Sequence, residues 1–155
     1  MGGSALVAGT VSLAVSLVLL AYFLWNQLRV RRVSSRLTLP VLLIVLGAVQ
    51  LSQYASVHPL SPTAMALILG SFLFVAIGLG AVRAYTVRVW RKDGQLWRQG
   101  TYVTAALWIG GAAIHLLLDR AAGATAASDL LYLGLTLTAQ RLVLEARAKR
   151  MAAGV

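Results

Sequence analysis

The chain has 155 residues, of which 59% are hydrophobic and 12% are charged, with a formal net charge of +10 and no cysteine. Soluble domains hold roughly 45–50% apolar and about 25% charged residues, so this composition excludes an ordinary soluble domain and indicates a membrane protein. The lack of cysteine excludes disulfides and thiolate metal sites. The basic residues cluster at the ends of apolar runs, as topology determinants do, so we expect no nucleic acid partner.

Five apolar runs are candidate membrane-spanning helices. They lie at about residues 5–28, 37–57, 62–82, 101–118 and 127–144. Pro59 and Pro62 separate the second run from the third, because proline cannot continue a helix. Small residues spaced by four in the third run, Ala76, Gly80 and Ala84, favour close helix packing. The fifth run is the shortest, at about 15–19 apolar residues where about 20 are usual; Ser128 or Asp129 can cap it.

A polar segment at residues 85–100 separates the third run from the fourth. Asp93-Gly94 stands between two β-forming stretches, and Asp-Gly favours a two-residue type I′ hairpin turn, in which both residues have positive φ. This register pairs Trp90 with Trp97 across the strands. We expect this region to contact lipid headgroups or a partner through Arg83, Arg88, Trp90, Trp97 and Arg98.

The distribution of basic residues predicts the orientation of the helices. Thirteen of the 14 basic residues fall on the side that holds the hairpin, and Arg120 alone falls on the other. By the positive-inside rule, the hairpin and the C-terminus are cytoplasmic and the N-terminus is outside. Arginine outnumbers lysine twelve to two, and Ala, Val, Leu and Gly are abundant, which is typical of a GC-rich bacterial genome, so we expect a bacterial plasma membrane. The predicted fold is an all-α bundle of five transmembrane helices, in one domain, with a short cytoplasmic β-hairpin between the third and fourth. Expected partners are the bilayer, including anionic lipids, and a second copy or another membrane protein.

This orientation directs both histidines, His58 and His115, towards the outer side. Asp119 follows His115 by one helical turn on the same face. Because polar groups in a bilayer tend to face the bundle interior, we predict an outward-opening pocket. Its lining would be Gln50, Gln53, Tyr54, His58, His115 and Asp119.

Several roles are open for this pocket. His58 and His115 could ligate a haem or a divalent metal, and the polar lining could bind or conduct a small solute or a proton. A histidine beside Asp119 could also act as a general base. No serine, cysteine or carboxylate pair accompanies it in a nucleophile arrangement, so the sequence favours a non-enzymatic protein without catalytic residues. The alternative is a purely structural role, in which His58 is an interfacial turn residue and His115 forms a hydrogen bond to a neighbouring helix.

The segment AIGLGAVRAYTVRVWRKDGQLWRQGTYVTAALW, residues 76–108, resembles the CcdC-like family of small bacterial membrane proteins. The resemblance lies in the Arg/Thr segment, the D-G turn, the following Gly and the helix containing L-W. It implies a non-enzymatic accessory role, in cytochrome c or haem-related maturation, and supplies no catalytic residues. The lack of cysteine argues against direct thiol reduction. The alternative is a small transporter or channel subunit with an outward-facing polar pocket.

Overall fold

The computed structural model describes residues 18, 21–34, 36–123 and 127–154. Within these ranges the chain is mainly helical, as predicted, with one small sheet. The helices are α1 (21–28), α2 (Thr38–Val57), α3 (Pro62–Thr86), α4 (Tyr102–Ala122) and α5 (Asp129–Ala152), and the strands are β1 (Arg31–Arg32), β2 (Arg88–Lys92) and β3 (Gln95–Gln99). Most of the first predicted span, residues 5–17 and 19–20, lies outside the described residues.

Among the described residues, three helices are long and apolar enough to cross a membrane; they are α2, α3 and α4, with 20, 25 and 21 residues. They indicate a membrane protein, while the full set of five spans is not established. Helix α5 has 24 residues, but its C-terminal half carries charged side chains such as Arg141 and Glu145. It packs along α2 and α3, and its inner face is buried by these neighbours. The low hydropathy of α5 therefore has two causes: its inner face packs against protein, and its C-terminal end is charged.

Helix α5 makes close crossings with α2 and α3 that require glycine. A Cβ added at Gly47 would lie 2.2 Å from the backbone of α5, and one at Gly80 would lie 2.8 Å from the carbonyl oxygen of Thr136. Both distances are shorter than any normal van der Waals contact. Gly80 belongs to the predicted small-residue stripe, whose two alanines, Ala76 and Ala84, are fully buried. The stripe thus serves packing within the chain.

Helix α3 is not a uniform α-helix. Ser61 caps its N-terminus, with its Oγ accepting a hydrogen bond of 3.1 Å from the backbone N–H of Ala64. Residues Pro62–Gly70 and Leu79–Thr86 are α-helical, but Ser71–Gly78 form a π-helix. Such wide turns are rare and occur frequently at functional sites. No pattern in the sequence predicts this segment.

The predicted hairpin is confirmed in its turn and in its register. Asp93 and Gly94 both have positive φ, at 52° and 71°, as the type I′ turn requires. Trp90 pairs with Trp97 across the antiparallel strands β2 and β3. The turn and the strand pairing therefore agree with what Asp-Gly between two β-forming stretches predicts.

A third strand, which the sequence did not predict, extends the hairpin into a sheet of order β1-β3-β2. Strand β1 places Arg31 opposite Arg98. The N–H of Gly100 donates to the carbonyl oxygen of Gln27 at 3.0 Å, which ties the end of α1 to the start of α4. The sheet thus gathers the basic segments of the chain at one end of the bundle.

Candidate functional site

A cluster of polar side chains lies inside the bundle, at the end opposite the hairpin. It is built from the π-helical segment of α3, the C-terminal half of α4 and the start of α5. We call it the His115 cluster; its members are Ser71, His115, Asp119, Ser128 and Asp129. The first four are at most 2% exposed, and the side chain of Asp129 is 37% exposed. The cluster is therefore buried, with one member that reaches the surface.

His115 is held in one orientation by its neighbours. Its Nδ1 lies 2.8 Å from Ser71 Oγ on α3, and its Nε2 lies 3.2 Å from Asp129 Oδ1 on α5. Nε2 is also 3.9 Å from Asp119 Oδ2, one turn along α4. The imidazole stacks on the ring of Tyr132, with centroids 4.0 Å apart and an interplanar angle of 6°. Nε2 is thereby directed at two carboxylates.

Asp119 has one satisfied oxygen and one free oxygen. Ser128 Oγ donates to its Oδ1 at 2.6 Å. Its Oδ2 is buried and has no hydrogen-bond partner among the described residues. A buried carboxylate oxygen without a donor is costly, so this atom requires a proton, a water molecule or a cation.

The cluster offers the donor set of a divalent metal. One ligand atom each from His115, Asp119 and Asp129 lie within 4.8 Å of one another. Imidazole nitrogen suits Zn²⁺, Fe²⁺ and Ni²⁺, and carboxylate oxygen suits Mn²⁺ and Mg²⁺, so this mixed set favours a first-row divalent ion. Two ionised carboxylates also match the charge of a divalent cation.

Arg83 forms a second buried polar group, nearer the hairpin. The side chain is fully buried, and its guanidinium carbon lies 3.9 Å from the centroid of the Trp108 ring. Its Nε donates to the carbonyl oxygen of Leu79 at 3.2 Å, and one Nη donates to Thr136 Oγ1. The prediction that Arg83 contacts lipid or a partner is therefore wrong, because packing against α4 and α5 turns the side chain inward.

The two polar groups are joined along one face of α5. Residues spaced by three or four lie on the same face of a helix, and here they are Asp129, Tyr132, Thr136 and Gln140. The Tyr132 hydroxyl lies close to the Arg83 guanidinium, and both amide atoms of Gln140 are buried without a partner among the described residues. Buried groups of this kind are usually satisfied by ordered water.

The structure distributes the predicted pocket residues over two environments. His115 and Asp119 come together in the cluster. His58 is exposed at the end of α2 and stacks on Tyr54, with centroids 4.7 Å apart. The Tyr54 hydroxyl donates to the carbonyl oxygen of Gly123, just after α4. The two predicted residues of α2 that remain are exposed; they are Gln50 and Gln53.

The remaining predicted contact residues lie in the sheet. Arg88 is exposed, while Trp90 and Trp97 are partly buried. Arg98 is partly buried as well and lines a cavity with other arginines. These positions leave Arg88 free to meet headgroups and give Arg98 a more enclosed setting.

Sequence reasoning did not identify Ser71, Ser128, Asp129 and Tyr132 as site residues. Ser128 and Asp129 were interpreted only as helix caps. The spacing of Asp129, Tyr132 and Thr136 is the signal that could have found them, because it places polar groups on one face of a helix. Ser71 is brought in by the π-helical segment, which carries no such signal.

Comparisons with known proteins add no further constraint. A scan of protein-family models found no match for this chain, and neither the curated proteins nor the solved structures gave one. The function is therefore argued from the geometry of the site.

Proposed function

We propose that this protein is a small transporter or channel subunit of a bacterial plasma membrane, with the hairpin on the cytoplasmic side, and that it binds a divalent cation at the His115 cluster. The observation that carries the proposal is the free Asp119 Oδ2, which is buried and directed at His115 Nε2. Ionisable groups inside membrane helices are rare and usually mark ion or proton pathways.

The partial exposure of Asp129 supports an entry route from the outer end. A cation that reaches this carboxylate is within reach of His115 Nε2 and Asp119 Oδ2, since the three donors lie within 4.8 Å of one another. Entry at a partly exposed ligand followed by capture at buried ones allows exchange with solvent.

The position of Arg83 favours gated transport over an open pore. The guanidinium lies beyond Tyr132, on the hairpin side of the His115 cluster, and its described contacts include no carboxylate. A fixed positive charge in a narrow interior repels cations. A cation at the cluster therefore cannot continue inward unless helix packing around Arg83 changes.

Haem or cytochrome c maturation, the role that the CcdC-like resemblance implies, stays a prediction. Haem ligation by His115 would require its ring to give up its contact with Ser71 Oγ or with Asp129, and to separate from Tyr132. A cation at Nε2 would replace the hydrogen bond to Asp129 by a shared ion and displace the Nε2 proton, but it would leave the contacts with Ser71 and Tyr132 in place. The geometry therefore supports the cation site better.

The proposal is tested with purified protein titrated with Mn²⁺ and with Zn²⁺ by calorimetry. Wild type should bind one equivalent, and Asp119→Asn should bind about 100-fold more weakly, because loss of a ligand exceeds the effect of losing an outer-shell partner. Asp93→Asn is the matched control, since it makes the same change in the exposed hairpin turn. The flux of the same ions into proteoliposomes should be lost in Asp119→Asn and retained in Asp93→Asn.

Two results would contradict the proposal. One is wild-type protein that binds neither ion; the other is equal affinity in Asp119→Asn and Asp93→Asn. An absorbance scan separates the alternative, because bound haem would give a Soret band that disappears in His115→Ala.

A further inference from the structure

A second candidate site lies at the hairpin end of the bundle. A cavity of about 390 Å³ opens between the start of α2, the strands β1 and β3, and α5. Five of its lining residues are arginines, and we call it the arginine cavity: Arg31, Arg32, Arg36, Arg98 and Arg141. Ser34, Thr38, Leu39 and Leu144 complete the lining.

The arginines are held against one another by the fold. Arg31 and Arg98 are directly opposite in the β1–β3 ladder, where like charges are destabilising. Arg141 reaches the cavity from α5 and donates to the carbonyl oxygen of Arg36. Burial lowers the pKa of Arg98, and the charges of Arg141 and Arg31 lower it further. The geometry concentrates positive charge that the chain itself does not relieve.

No acidic residue of the described ranges lines this cavity. There are four acidic residues in the whole sequence. Asp119 and Asp129 lie at the opposite end of the bundle, and Asp93 occupies the hairpin turn. Glu145 pairs with Lys149 at 2.9 Å. Arg31, Arg32 and Arg36 are exposed and Arg98 and Arg141 are partly buried, so the cavity is open to an anion that approaches from outside the chain.

The start of α2 adds backbone donors to the same place. The residue before the helix, Leu37, provides no side-chain cap. The first N–H groups of a helix lack partners within it and carry a partial positive charge. Thr38 and Leu39, the first two residues of α2, line the cavity. Arginine forks beside a helix N-terminus are a combination that binds phosphate.

We propose that the arginine cavity binds the phosphate of an anionic phospholipid headgroup. Leu39 is 52% exposed at the edge of the cavity, and the exposed side chains of Val41, Leu42 and Val45 continue from it along α2. Helix α2 is one of the candidate spans, so its first turn lies where a spanning helix meets headgroups. A phospholipid can place its phosphate among the arginines and its acyl chains along this apolar face. The inference does not depend on cation binding at the His115 cluster.

The test uses full-length protein in neutral detergent and counts bound lipid by native mass spectrometry. Three probes are compared: phosphatidylglycerol, phosphatidylcholine and inorganic phosphate. Wild type should retain one phosphatidylglycerol in preference to phosphatidylcholine, and millimolar phosphate should not displace it. The double variant Arg36→Gln/Arg98→Gln should bind phosphatidylglycerol about 30-fold more weakly, since each basic residue at a membrane surface contributes about a factor of five.

The matched control is Lys92→Gln/Arg150→Gln, which removes the same charge from exposed positions outside the cavity. Equal weakening in both double variants would overturn the proposal, because it would show attraction to net charge alone. Displacement by inorganic phosphate, or equal retention of the two lipids, would also overturn it. These wild-type competitions decide the question even where a variant fails to fold.

Discussion

The two ends of the bundle carry opposite charges, and the charged groups have different kinds of partner at each end. At the His115 cluster the carboxylates of Asp119 and Asp129 lie beside an imidazole, and every polar atom of Asp119 except Oδ2 has a protein partner. At the arginine cavity Arg31 lies opposite Arg98, Arg141 donates to the carbonyl oxygen of Arg36, and Arg32 lies over the Trp97 ring, with no carboxylate among the described lining residues. The difference is that a single buried oxygen lacks a partner at the first end, whereas at the second end five exposed or partly buried arginines have no acidic residue in the lining they share.

Arg83 lies between these ends and belongs to neither. It is buried like Asp119, yet its described contacts are a hydroxyl, a carbonyl oxygen and the ring of Trp108. A positive charge in this position separates the cation end from the arginine end. The predictions below test whether the two ends are independent.

The largest effect is expected from Gly47→Ala, which should lower the free energy of unfolding by about 3 kcal/mol and weaken both ends. The new Cβ would lie 2.2 Å from the backbone nitrogen of Leu131, so α2 and α5 must separate. Denaturant unfolding in detergent measures the change. Gly110→Ala is the control, because nothing lies within 4 Å of its Cβ position. Similar losses in the two variants would show that the helix crossing is not tightly packed.

Replacement of Arg83 by methionine should raise the free energy of unfolding by about 2 kcal/mol, because it removes a buried charge that lacks a carboxylate partner. It should also strengthen cation binding at the His115 cluster, since a repulsive charge is lost. Thermal unfolding and calorimetry measure the two effects. Arg88→Met, at an exposed position, should change stability by less than about 0.5 kcal/mol. A clear loss of stability in Arg83→Met would show that the contacts of Arg83 with Leu79, Thr136 and Trp108 outweigh the cost of burying its charge.

The change Ser71→Ala should weaken cation binding about tenfold and leave lipid retention unchanged, because Ser71 Oγ orients the imidazole of His115 from 2.8 Å. Calorimetric titration with Zn²⁺ is the measurement. The control is Ser52→Ala, whose hydroxyl is exposed and donates to Val49 O within its own helix. An unchanged affinity in Ser71→Ala would remove Ser71 from the site.

The smallest effect is expected from Gly94→Ala, which should lower the free energy of unfolding by about 1 kcal/mol. Gly94 has φ of +71°, a conformation that alanine disfavours. The variant should also retain less phosphatidylglycerol, because strand β3 lines the arginine cavity, while its cation affinity should not change. Gly94→Asn should lose less, since asparagine tolerates positive φ. Hydrogen exchange of the hairpin amides measures the local change. Equal protection in all three proteins would show that the turn contributes nothing to the sheet.

Features with a short-range cause were predictable from the residues. The apolar runs located α2, α3 and α4, and Asp93-Gly94 specified the hairpin with its Trp90–Trp97 pair. The relation between His115 and Asp119 also followed from one helical turn. In each case the deciding interactions join residues that are close in the chain.

By itself, the sequence determined a basic, cysteine-free membrane protein whose apolar helices flank one hairpin. The tertiary structure alone decided that Arg83 turns inward, that Asp129 and Ser71 join His115, and that β1 completes the arginine cavity. These outcomes depend on which helix faces which neighbour, and on how closely α5 approaches α2 and α3. These arrangements arise from packing between residues far apart in the chain. A hydropathy pattern describes only neighbouring residues, so it contains no information on such packing.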